Sequence, residues 1–174
     1  ASDANVVAMT LSGTDVVVAW IAGSSMVYAK RAPLSTLAFP GAATLVVDPP
    51  GALSAIDVAA SGTNLLFAYV STQDIYGTRT NSTFGAPTAN TLLVDSVNVL
   101  ARRIDLAPAA AGGWALAYTD VLAAETDREV FLQGIAASGV ALDGALFRTN
   151  NVTEDVFPAL AYDGATDRFA MAWI

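Results

Sequence analysis

A chain of 174 residues, 54% of them hydrophobic and only 14% charged, has material for one sizeable core; its net charge of −8 excludes a nucleic-acid binder, which needs a basic stripe. It contains no cysteine and no histidine, so disulfides, thiol nucleophiles, cysteine–zinc sites and histidine acid–base chemistry are excluded. Its apolar runs, such as VVVAWI (16–21) and LLFAYV (65–70), are far too short for a membrane-spanning helix and suit buried strands.

In chain order, NVVAMTL, DVVVAWI, SMVYAKR and ATLVVD read as four short strands closed by Pro49-Pro50-Gly51. The next stretch repeats the scheme with SAIDVAAS (54–61), the turn Gly62-Thr63-Asn64, LLFAYVS (65–71), the alternating DIYGTRT (74–80), the loop NSTFGAP (81–87) and TLLVDS (91–96). The third set is RIDLAPA, GWALAYTD, REVFLQGIA and GALFRTN, with an insertion near Leu122–Asp127. Helix formers in VLAAETDREV (121–130) amount to one short turn at most. A fourth set offers FPALAYDG and RFAMAWI.

The first strand pairs align on Trp20, Tyr69, Tyr118 and Trp173, at intervals of 49, 49 and 55 residues. A fixed period in this range marks a solenoid, propeller or array. The first two strands of each unit are nearly all apolar and the third alternates, as expected if inner strands are covered on both faces and outer ones on one. Small residues (Ala8, Ala19, Ala59, Ala68, Ala117, Ala161, Ala172) recur in the inner strands, where units converge. These features predict an all-β chain: a β-propeller or propeller fragment of four-stranded blades, three complete and half of a fourth. A β-sandwich is the alternative, but it does not require the repeat. The expected organisation is a single β-repeat domain over 1–174, with repeats at about 1–50, 51–99, 100–153 and an incomplete 154–174.

Repeats three and four, through Phe131, Gln133, Gly139, Phe147, Asn150, Pro158, Ala159, Phe169 and Trp173, match a pattern of the type Y/F-x-Q/T-R … G … F-x-V-N … P-A-x-A … F-x-V-x-W. Repeat two matches it in part, through Tyr76, Gly77 and Arg79. This resembles the blade repeats of large secreted or surface bacterial β-propeller proteins, loosely related to the FG-GAP and Kelch-like groups. The resemblance implies a propeller fold and a secreted or cell-surface bacterial protein, and says little about activity.

Candidate sites each have a plainer reading. The loop Asp163-Gly164-Ala165-Thr166-Asp167 offers two carboxylates to a cation such as Ca²⁺, but it lacks the middle Asp of the D-x-D-G-x-x-D loops of FG-GAP repeats, and Asp-Gly is first a hairpin signal. Asp120, Glu125, Asp127 and Glu129 gather around the insertion, as a Ca²⁺ site, as paired carboxylates for glycoside chemistry, or as a solvated loop. Arg102 and Arg103 with Arg79 and Arg148 suggest a sialidase-like carboxylate clamp, but the S-x-D-x-G-x-T-W signature is absent and Arg79 and Arg148 fall on outer strands. Trp20, Tyr69, Tyr118 and Trp173 read as packing between blades, whereas Trp114 and Tyr162, beside turns, are the surface candidates for a ligand. Asn81-Ser82-Thr83 and Asn151-Val152-Thr153 match glycosylation sequons and read as loop residues.

No catalytic combination with histidine or cysteine exists, so the expected function is a non-catalytic binding, adhesion or structural module; a carboxylate-dependent propeller glycosidase or lyase is the alternative. The former has a glycan or protein ligand and no cofactor beyond possible Ca²⁺. Because the sequence stops within the run FAMAWI, strand 169–174 is expected to seek a partner strand, from the remainder of its own chain, a second polypeptide or a homo-oligomer.

Overall fold

The computed structural model describes residues 6–49, 51–95, 103–121, 127–151 and 153–174. Blade 1 contains β1 (Val7–Ser12), β2 (Asp15–Ala22), β3 (Met26–Pro33) and β4 (Thr44–Val47). Blade 2 contains β5 (Leu53–Ser61), β6 (Asn64–Ser71), β7 (Asp74–Asn81) and β8 (Thr91–Val94). Blade 3 contains β9 (Ile104–Pro108), β10 (Trp114–Asp120), β11 (Glu129–Ile135) and β12 (Ala141–Arg148). Two further strands, β13 (Ala159–Asp163) and β14 (Arg168–Ala172), form the fourth sheet. Every sheet is an antiparallel meander in sequence order. The one helical element among the described residues is a 3-10 turn at Ala110–Gly112, in the β9–β10 connection and not in the insertion.

Hairpin chemistry sets the inner register. Gly13 and Gly62, with φ of 62° and 60°, open the two-residue loops between β1 and β2 and between β5 and β6. A hairpin of this type needs a positive φ at its first loop residue, which glycine supplies without steric cost. With register fixed, side chains alternate between two unlike faces. In blade 2, Ile56, Tyr69 and Tyr76 stand opposite one another on one face, and Asp57, Ala68 and Gly77 on the other. A Cβ on Gly77 would lie 2.9 Å from Leu93 Cδ1, so the small face has no room for more.

The blades stack large face on small face. Ile56, Phe67 and Tyr69 of blade 2 share a core with Ala8, Ala19 and Ala29 of blade 1. Leu106, Trp114, Leu116 and Tyr118 of blade 3 share one with Ala59, Ala68 and Leu66 of blade 2. Leu160, Phe169 and Met171 pack against Ala115, Ala117 and Leu132 of blade 3. First strands meet first strands, β1 with β5, β5 with β9 and β9 with β13. Four-stranded meanders adjoining along their first strands make a β-propeller section, not a sandwich.

The repeating aromatics are the second-strand halves of cross-strand stacks. Trp20 faces Tyr28 at 6.2 Å, Tyr69 faces Tyr76 at 6.1 Å and Tyr118 faces Phe131 at 5.3 Å, all near-parallel. Trp173, on a two-stranded sheet, packs instead on Phe147 of blade 3. The expected burial gradient holds for β6 and β7 but not for β11, which is buried throughout. Phe131 of that strand faces blade 2 and Leu132 faces the fourth sheet, so both its faces are covered.

Truncation should separate these environments. Phe67→Ala, at a fully buried site, should cost about 3–5 kcal/mol by chemical denaturation, against less than about 0.5 kcal/mol for Met9→Ala, whose residue is 68% exposed.

Candidate functional site

The inner strands carry the chemistry. Asp57 on β5 and Asp105 on β9 occupy the same position of successive repeats, opposite Ala68 and Ala117. Asp57 Oδ2 accepts a hydrogen bond from Leu106 N in blade 3 at 2.6 Å, and its Oδ1 accepts one from its neighbour Val58 N at 2.8 Å. One blade further on, Asp105 Oδ2 accepts from Leu160 N in the fourth sheet. Each carboxylate thus clasps the first strand of the following blade. In blade 1 the position is Ala8 and in the fourth sheet Ala159.

The two side chains also touch each other. Burial first, then the hydrogen bond with Asp105 and its like charge, push the Asp57 carboxyl up to about 8. Two carboxyls sharing a proton are what acid–base pairs use. Here both oxygens of Asp57 are already taken by main-chain N–H groups, which makes the pair first of all a joint.

The other candidates lie elsewhere. Trp114 was expected at the surface; it is buried between blades 2 and 3, and its indole N–H donates to Ala59 O at 3.1 Å. The correction has a physical cause: Trp114 opens β10 opposite Ile135, on the face that blade 2 covers. Tyr162 is half-buried, packs on Phe169 at 5.1 Å, and donates its hydroxyl to Asp167 Oδ1 at 2.9 Å. Asp163 accepts from Ala165 N at 2.9 Å and Thr166 Oγ1 at 2.6 Å, and these bonds, Thr166 first, hold its carboxyl below the usual range. The 163–167 loop is therefore a locally closed hairpin.

Glu129, almost fully buried, accepts from Thr149 Oγ1 and, at 3.3 Å, from Asn151 N. Asp120 stands opposite it on β10 and accepts from Val121 N at 2.7 Å. Asp127 Oδ2 is buried with no hydrogen-bond partner among the described residues. Glu125 and Arg102 lie outside the described residues. Among the described residues, no three acidic, histidine or cysteine side chains are grouped to hold a metal ion. The arginines have separate partners: Arg79 bonds Asn64, Arg103 lies over Phe157 and Arg148 over Phe131.

The Asp pair was in plain sight in the sequence as the repeated I-D-hydrophobic-A at 56–59 and 104–107. Its signal was an acid at the same point of two otherwise apolar first strands.

The raised Asp57 fixes the sign of a pH effect. The folded chain holds a proton that the unfolded chain gives up near 3.8, so stability falls as pH rises from 3.8 toward about 8 and then levels. Asp57→Asn, which keeps an acceptor for Leu106 N and a donor for Asp105, should flatten that slope in thermal melts. Asp57→Ala flattens the slope too, but leaves the Leu106 and Val58 N–H groups without their acceptor, so it should cost about 1–3 kcal/mol near pH 4 and less as pH rises.

No protein-family profile matches the chain, and no curated protein matches its sequence. Solved structures do match. A chain of the nidogen/laminin complex aligns with a TM-score of 0.58 at 15% identity, over 97% of this chain and 56% of that one. The NanB sialidase from Streptococcus pneumoniae, in complex with 2-[(3-chlorobenzyl)ammonio]ethanesulfonate, aligns with a TM-score of 0.61 at 4% identity, over 91% and 25%. A thermostable family-43 glycoside hydrolase aligns with a TM-score of 0.59 at 11% identity, over 96% and 62%. All three are β-propeller proteins, and this chain spans less than two thirds of each. The chain has the fold of a β-propeller section.

Proposed function

We propose that the chain is a non-catalytic section of a β-propeller, a binding, adhesion or structural module of a secreted or cell-surface bacterial protein with FG-GAP- or Kelch-like blades. The remainder of a longer chain, a second polypeptide or another copy completes the assembly. One observation carries the reading: Asp57 and Asp105, the acids on the first strands of blades 2 and 3, are spent on clasping the next blade. A catalytic acid needs a free oxygen aimed at substrate, within hydrogen-bond reach of the proton it moves.

A carboxylate-dependent glycosidase or lyase is the second reading, favoured by the raised Asp57 carboxyl. A panel of glycans and divalent cations, probed by calorimetry alongside chromogenic glycosides, separates the two. Saturable binding without turnover, unchanged in Asp57→Asn, is the expected result. Turnover abolished by Asp57→Asn in a folded protein would establish the enzyme reading instead. No saturable ligand at millimolar concentration and no turnover would leave the structural role alone.

A further inference from the structure

The three internal joints share one rule, and the two outer faces of the chain meet its terms. At each joint a face of large apolar residues rests on a face whose inner strands carry alanines among larger aliphatic side chains. Among the described residues the large face of blade 1 is uncovered over its first strand: Val7, Met9 and Leu11 are 60%, 68% and 57% exposed. By register Trp20 and Val18 stand opposite Val7 and Met9 on that same face. Among the described residues the small face of the fourth sheet is uncovered: Ala159 opposes Ala172 and Ala161 opposes Ala170, all exposed, with the exposed pair Asp163 and Arg168 at its hairpin end. A contiguous exposed apolar surface of this kind marks an interaction site.

We propose that a second copy of this chain docks head-to-tail, with the aliphatic face of blade 1 on the alanine face of the fourth sheet. The occupant follows from the molecule's own interfaces, since the two surfaces are the two halves of a contact already made three times within the chain. Such a contact is heterologous, and it closes into a ring or continues as a filament. Two copies supply eight blade positions, the upper end of what radial arrays hold, so the dimer is the closed form.

The clasp gives this joint a signature. Asp57 and Asp105 each reach the main-chain N–H of the residue that follows the acid's position in the next inner strand, Leu106 or Leu160. The corresponding residues at the intermolecular joint are Ala159, in the place of the acid, and Met9, in the place of the N–H donor. The docked joint has the packing without the clasp, and Ala159→Asp supplies it.

This inference rests on the propeller-section reading. Its test is sedimentation velocity with native mass spectrometry on the whole chain, from about 1 to about 100 µM. The wild type should pass from 17.8 kDa to a species of twice that mass as concentration rises. Met9→Asp and Ala161→Arg, both at exposed positions, should each be monomeric with an unchanged far-ultraviolet spectrum. Mixed in equal amounts, they should form a dimer and nothing larger, because each keeps the face the other has lost. Ala159→Asp adds a clasp at both joints of the ring and should tighten dimerisation by about a hundredfold, about tenfold for each charge-assisted hydrogen bond. A wild type that stays monomeric overturns the proposal and leaves both faces to other blades of a longer polypeptide. Ala161→Arg associating like the wild type overturns it too, since blade 1 would then be pairing with itself. Either failure leaves the ligand and turnover assays, and the reading they test, untouched.

Discussion

A four-stranded sheet has two faces, and blade 2 carries Phe67 and Tyr69 on one and Leu66 and Val70 on the other, all buried. No such sheet can cover itself; its apolar surface is removed from water only by a neighbouring sheet. The remaining features of the chain follow from that dependence. Because a sheet cannot offer bulk on both sides and still approach closely, one face keeps small residues over its inner strands. The asymmetry gives the stack a direction, and the direction keeps every joint alike.

The clasps refine the same joint. A carboxylate placed where two inner strands approach satisfies an edge N–H that no ladder reaches. Two successive clasps bring Asp57 and Asp105 together, and burial of like charges is relieved by holding a proton. The joint between blades 1 and 2 has alanine at this point, and its hydrogen bonds lie elsewhere, from Arg31 Nη1 to Ser82 O and from Leu53 N to Ser24 O. Within one chain, therefore, neighbouring joints differ in their response to pH while sharing one geometry.

The strands were largely legible because each hairpin is local. The runs 54–61, 65–71, 74–80 and 91–96 match β5 to β8 within two residues at either end. The site was less so. Trp114 follows a turn, and turn proximity suggests exposure, but its burial is decided by blade 2, whose Ala59, 55 residues earlier, accepts its indole N–H. Asp163 and Asp167 look like a cation loop in sequence; in the fold both oxygens of Asp163 and one of Asp167 accept hydrogen bonds within the hairpin, from Ala165, Thr166 and Tyr162. Glu129 sits in what reads as a solvated insertion, but β11 starts at that residue and carries it inside.

Sequence by itself determined the strands, their pairing into repeats and the alternation of large and small residues, because these depend on hydrogen bonds and side-chain spacing within some thirty neighbouring residues. Only the tertiary structure decided which face meets which blade, and that Asp57 reaches Leu106 and Asp105 reaches Leu160. Those contacts join residues about fifty positions apart, and their partners are chosen by where the twisted sheets come to lie against one another.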